Sequence, residues 1–111
     1  MANGTIKNDI AWKTAGIVTG SAQVTLPDDF CELLVIPDYL LDNSFDFSFS
    51  ISIPKQDVTA NRRFYTGYGY NNTTTFVAVI TDSTGKKIQL QSFYVDGNNR
   101  LSGAKLKVYY R

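Results

Sequence analysis

The side chains whose types and spacing could do chemistry are acids. Asp28, Asp29 and Glu32 fall within five positions, and Asp38 and Asp42 follow. Two carboxylates across a cleft would suit glycoside hydrolysis, and three oxygen donors together would suit calcium. Neither reading gains support from the neighbours. Pro27 and Pro37 flank these acids, and aspartate in such places bonds the turn's own backbone. A chain of 111 residues leaves little room for a substrate cleft, and the Asp/Gly spacing of a calcium loop is missing. The chain has no histidine, so a Ser-His-Asp or Cys-His site is excluded, as are zinc sites built on Cys with His. Thr84-Gly85-Lys86-Lys87 lacks the upstream glycine and the Ser/Thr of a phosphate loop, and reads as a hairpin turn with solvated lysines. Cys31 is the one cysteine and cannot form an internal disulfide. Its apolar neighbours Phe30, Leu33 and Leu34 make it a buried thiol acting as a small hydrophobe. The expectation is a non-enzymatic protein with no metal and no cofactor.

Binding chemistry is better represented. Residues 62–72, RRFYTGYGYNN, hold four aromatic rings, two glycines and two arginines. Arginines beside aromatics could form a base-stacking platform, but the order does not match the RNA-recognition signature. The net charge of +1 gives no pull toward nucleic acid or an anionic membrane surface. Tyrosine beside asparagine suits a sugar better, with a ring face for stacking and amides for hydroxyls. The candidate ligand-binding residues are Tyr70, Asn71 and Asn72 at one turn, Asn98, Asn99 and Arg100, after Asp96, on another loop, and Tyr65 on the strand that leads into the first. Ordinary turn chemistry is the competing reading for both loops.

The elements that must position these residues follow a two-residue grammar. Phe45 to Ile53 alternates five apolar with four polar residues, which is a strand with one dry face, ended by Pro54. Ala11 to Val18 is interrupted by Gly16, and Gln23 to Leu26 stops at Pro27. Glu32 to Ile36 is a continuous apolar run closed by Pro37-Asp38, as for a strand covered on both faces. Phe64 to Tyr70, Phe76 to Thr81, Ile88 to Val95 and Ala104 to Tyr110 complete the set. Turn residues separate them at Thr19-Gly20-Ser21, Asp42-Asn43-Ser44, Asn71-Asn72, Asp82 to Gly85 and Asp96 to Asn99. Seven to eight short strands at spacings of roughly 8–14 residues predict an all-β fold. One antiparallel β-sandwich, jelly-roll-like or barrel-like, is expected over residues 11–111, after a flexible polar segment 1–10. Apolar content of 43% supports a packed core. No apolar run reaches the ~18 residues of a membrane span, and the first residues do not read as a signal peptide. The N-x-Thr sequons at Asn3, Asn71 and Asn72 read as products of an Asn/Thr-rich composition.

Four pieces of the chain resemble small β domains of bacteriophage tail proteins, the head or shoulder domains of tail-fibre and receptor-binding proteins. They are Trp12 to Gly16 followed by Thr19-Gly20, Val24 to Pro27 leading into Glu32 to Val35, the aromatic-glycine run Phe64 to Tyr70, and the closing strand Lys107 to Arg111. The resemblance implies a homo-oligomer, trimer before dimer. It implies a place on the virion tail after synthesis in the host cytoplasm, with other tail proteins or a host cell-wall saccharide as partners. It implies neither nucleic-acid binding nor membrane insertion. A stand-alone carbohydrate-binding module of other origin is the alternative.

On a strand, Phe64, Thr66, Tyr68 and Tyr70 share one face, and Tyr65, Gly67, Gly69 and Asn71 share the other. The first set is expected in the core. The second leaves a trough over Gly67 and Gly69, so these two, with Trp12 at the first strand, are the candidate interface residues.

Overall fold

The structure, a computed structural model, describes residues 11–40, 46–70 and 73–111. The described residues form an all-β fold of two antiparallel sheets packed face to face. Ten strands occur in the order β1 (Lys13–Thr19), β2 (Gln23–Thr25), β3 (Glu32–Leu40), β4 (Asp46–Ser48), β5 (Ile51–Pro54), β6 (Arg63–Tyr70), β7 (Thr73–Thr81), β8 (Lys87–Val95), β9 (Asn98–Asn99) and β10 (Lys105–Tyr110). One sheet runs β1-β10-β3, with β4 and β5 sharing the far edge of β3. The other runs β2-β8-β7-β6, with β9 also on β8. No helix among the described residues is long and apolar enough to cross a membrane.

The alternating residues of both sheets meet in the middle. Leu33, Val35, Leu106 and Val108 from one sheet pack with Val77, Val79, Ile88, Leu90 and Phe93 from the other, and all are at most 1% exposed. The Phe93 ring lies 5.7 Å from that of Tyr39 and 6.3 Å from that of Phe49. These tilted contacts are a favourable geometry for ring quadrupoles. Gly20, at φ 66°, turns the chain from β1 to β2, and so from one sheet to the other. At Gly16 an added Cβ would stand 3.1 Å from Val24, so the missing side chain is what lets β1 approach β2.

The structure departs from the sequence expectations in several places, some through backbone hydrogen bonding and some through burial. Pro37 does not close β3; it lies inside it, opposite Leu106. Its carbonyl accepts from the Phe49 N–H at 3.0 Å, so its backbone faces the gap between β4 and β5. A missing N–H costs nothing there. Residues 46–53 are accordingly two strands, not one, and Phe49-Ser50 is the break; Phe45 lies outside the described residues. Pro54 is the last residue of β5, opposite Glu32. This split, with the short strand β9, gives ten strands among the described residues instead of seven or eight. Leu34 and Ile36 are half-buried while Leu33 and Val35 are fully buried, so β3 has one dry face. Cys31 is exposed, just ahead of β3. The first ten residues lie outside the described set.

Candidate functional site

The outer face of the second sheet carries the group most unlike ordinary surface. In β6 and β7, Tyr65 stands opposite Ala78 and Gly67 opposite Phe76. In β7 and β8, Phe76 stands opposite Tyr94, and Tyr94 faces Asn99 of β9. Opposed residues share a face, so Gly67, Phe76, Tyr94 and Asn99 form one row across four strands, with Tyr65 diagonal to Phe76. Tyr65 is 70% exposed, Phe76 60% and Tyr94 39%. Three large rings side by side in water form a patch of the kind that marks an interaction surface. They line an open groove of about 520 Å³, with Thr74, Ser92 and Gly97 completing its walls.

A β-bulge puts Tyr94 on this face. Ala78 pairs with Ser92 but Val79 pairs with Leu90, which leaves Gln91 as an extra residue in β8. Before it, Ile88 and Leu90 point inward; after it, Phe93 and Val95 do. An uninterrupted period of two would have buried Tyr94 and exposed Phe93.

Turn chemistry anchors one end of the groove. Asp96 and Gly97 have φ of 49° and 79° and form the two-residue link between β8 and β9. Positive φ at both positions is the type I′ hairpin, which Asp-Gly favours. The Asp96 carboxylate accepts from the Thr74 N–H at 2.8 Å, and the Asp96 N–H donates to the Thr74 carbonyl at 2.8 Å. Asn99 Oδ1 accepts from the Leu101 N–H at 3.1 Å, so the side chain offers its amide N–H groups to a ligand. Arg63 Nη1 donates to the Tyr65 hydroxyl at 3.4 Å.

The structure therefore sets Tyr65 and Asn99 on the same face of one sheet, whereas Asn98 stands opposite the inward Val95 and belongs to the other face. Arg100 is exposed just past β9, and its N–H donates to the Phe93 carbonyl at 2.7 Å. Tyr70 closes β6 opposite Thr73; its ring, Asn71 and Asn72 lie outside the described residues. The trough over Gly67 is filled, not empty: the Phe76 ring lies on it, and an added Cβ would meet Phe76 Cδ1 at 3.1 Å. Gly69 is exposed. Phe64 packs against the core as expected. Trp12 sits on the other sheet, at its β1 edge, half-buried under the Arg111 guanidinium at 4.1 Å. Arg111 Nε in turn donates to Glu32 at 2.6 Å.

The sequence does not single out Phe76 or Tyr94. The alternation of Thr75, Val77 and Val79 could have placed Phe76 outside. Nothing in the sequence marks the bulge that exposes Tyr94. The acids are dispersed in roles of their own: Glu32 bonds Arg111, Asp38 pairs with Lys107 at 3.1 Å, and Asp28 and Asp29 are exposed between β2 and β3. A second, smaller cavity of about 250 Å³ lies between Leu26, Phe30, Lys55, Val58 and Gly85. Lys55 Nζ covers the Phe30 ring there at 4.9 Å and donates to the Asp28 carbonyl.

No protein-family model, no curated protein and no solved structure matches the chain.

Proposed function

We propose that the chain is a non-enzymatic adhesion protein that binds a saccharide on the outer face of the second sheet. The observation that carries this reading is the row of Tyr65, Phe76 and Tyr94, three exposed rings bordered by the Asn99 amide. A sugar ring presents an apolar face to aromatics and hydroxyls to amides, and tyrosine itself is apolar on its faces and polar at its tip. The rings stand on paired strands, so little ordering is needed on binding. The resemblance to phage tail domains supplies the setting: a virion-tail protein that self-associates, docks on other tail proteins and meets a host cell-wall saccharide. A stand-alone carbohydrate-binding module of other origin would use the same face, and the genes flanking this one separate the two settings.

Adsorption to host cells and a glycan array test the ligand. Binding should fall at least tenfold in Tyr94→Ala and Tyr65→Ala with folding intact. Retained binding in both variants would remove the aromatic face from the function.

A further inference from the structure

Among the described residues nothing pairs with the outer edge of β6, and we infer that this edge pairs with β6 of a second copy, antiparallel and centred on Gly67. This rests on the self-association in the reading above and is independent of its ligand.

The other sheet edges are interrupted. β1 carries a bulge between Thr14 and Gly16. β4 and β5 are three and four residues long, broken at Phe49-Ser50 and ended by Pro54. β2 and β9 have three and two residues. These are the devices that keep an edge from recruiting another strand. β6 has none of them. Its eight residues pair with β7 without a register shift, and residues 64–70 contain no proline and no charge.

Backbone direction fixes which residues such a pairing would use. In an antiparallel ladder the N–H and C=O of one residue point the same way, and the direction alternates along the strand. The Arg62 carbonyl accepts from Thr81 of β7, so Arg63 points away from β7. At the far end, the Thr74 carbonyl accepts from Asp96 and therefore faces β8, not its β6 partner Gly69. Both ends give the same result: Arg63, Tyr65, Gly67 and Gly69 turn their backbone groups to the free edge. The same four residues carry the outer face.

Self-pairing about Gly67 sets Gly67 opposite its own copy and Tyr65 opposite Gly69 of the other copy. A ring opposite a glycine is the arrangement Phe76 and Gly67 already make within the chain. A register shifted by two the other way would set Tyr65 opposite Gly67, where the Phe76 ring of that copy lies. Charge favours the antiparallel sense as well. The two Arg63 residues would stand eight positions apart along the ladder, about 27 Å at ~3.4 Å per residue, beyond the screening length of about 8–10 Å. Parallel pairing would set them side by side. The result is a two-fold pair whose second sheets join into one, with the two aromatic rows on the same side.

Light scattering and sedimentation give the first test. The expected result is a mass twice that of the chain at high concentration. Gly69→Pro removes one outward N–H while β6 stays bonded to β7, and should return the protein to one copy with unchanged circular dichroism. The second test keeps the inference open to refutation should that variant fail to fold. In a Cys31→Ser background, Tyr65→Cys with Gly69→Cys places thiols on a hydrogen-bonded pair about 5.5 Å apart at Cα, within disulfide reach. Oxidation should give a covalent dimer. Tyr65→Cys alone should not, because its thiols would be about 14 Å apart. A trimer, or a dimer that survives Gly69→Pro and resists the paired cysteines, overturns this pairing and leaves self-association standing. A single copy at every concentration overturns both, and neither outcome bears on the saccharide assay.

Discussion

The Phe76 ring lies directly on Gly67 of the neighbouring strand, close enough that a methyl group on Gly67 would come within 3.1 Å of it. The glycine provides the seat, and the ring shields backbone that a bare glycine would leave to water. Phe76→Ala should therefore cost more than an ordinary surface substitution, about 0.5–1 kcal/mol. Urea unfolding measures it. The same variant should bind saccharide at least tenfold more weakly, so stability and binding fall together at this position.

Thr75, next along β7, points the opposite way. It is fully buried, and its hydroxyl has no hydrogen-bond partner among the described residues. A buried hydroxyl left unpaired costs about 1–3 kcal/mol. Thr75→Val keeps the shape and removes the polar atom, so it should stabilise the protein by about 1 kcal/mol. A raised urea midpoint with an unchanged slope is the expected result.

The β7–β8 turn is organised by one carboxylate. Asp82 Oδ1 accepts from the Thr84 hydroxyl at 2.8 Å and from the N–H groups of Thr84, Lys86 and Lys87 at 3.1, 3.1 and 3.3 Å. The Thr84 hydroxyl, with those backbone donors, holds the carboxyl below its ordinary value of 3.8. A depressed value in the folded state means the turn contributes stability above pH 3.8, and that this is lost as pH falls through the lower folded-state value. Asp82→Asn should thus be less stable than the parent at neutral pH. The gap should close as the pH is lowered below 3.8, in thermal melts run across that range.

How much of this was legible in the sequence varies by feature, for physical reasons. Strand content followed from period-two alternation, since a strand with one dry face has to be written that way. The outward placement of Tyr65 and Gly67 was readable for the same reason. Tyr94 was not, because one extra residue at Gln91 inverts the parity of everything after it. Pro37 misled for a related reason: the sequence shows that a donor is missing but not that the strand's own edge is open at that point. The placement of Tyr65 and Asn99 on one face depends on three ladders in register, which is long-range information. The exposure of Cys31 depends on where its loop lies, and its apolar neighbours do not report that.

Trp12 offers a spectroscopic handle on the opposite sheet. It is the one tryptophan of the chain, and the Arg111 guanidinium stacks on it while bonded to Glu32. Arg111→Ala should expose the indole and shift its emission to longer wavelength. The stability cost should stay near 1 kcal/mol or less, since both charges of the ion pair are about one third exposed. Saccharide binding should not change.

The most direct test of the binding face is a titration of the 15N-labelled protein with the host cell-wall saccharide, followed by amide chemical shifts. The shifts should gather at Tyr65, Thr74, Phe76, Tyr94, Gly97 and Asn99, on one side of one sheet. Shifts centred instead on the cavity of Phe30, Lys55 and Gly85, or no shifts at saturating saccharide, would contradict the assignment of this aromatic row as the binding surface.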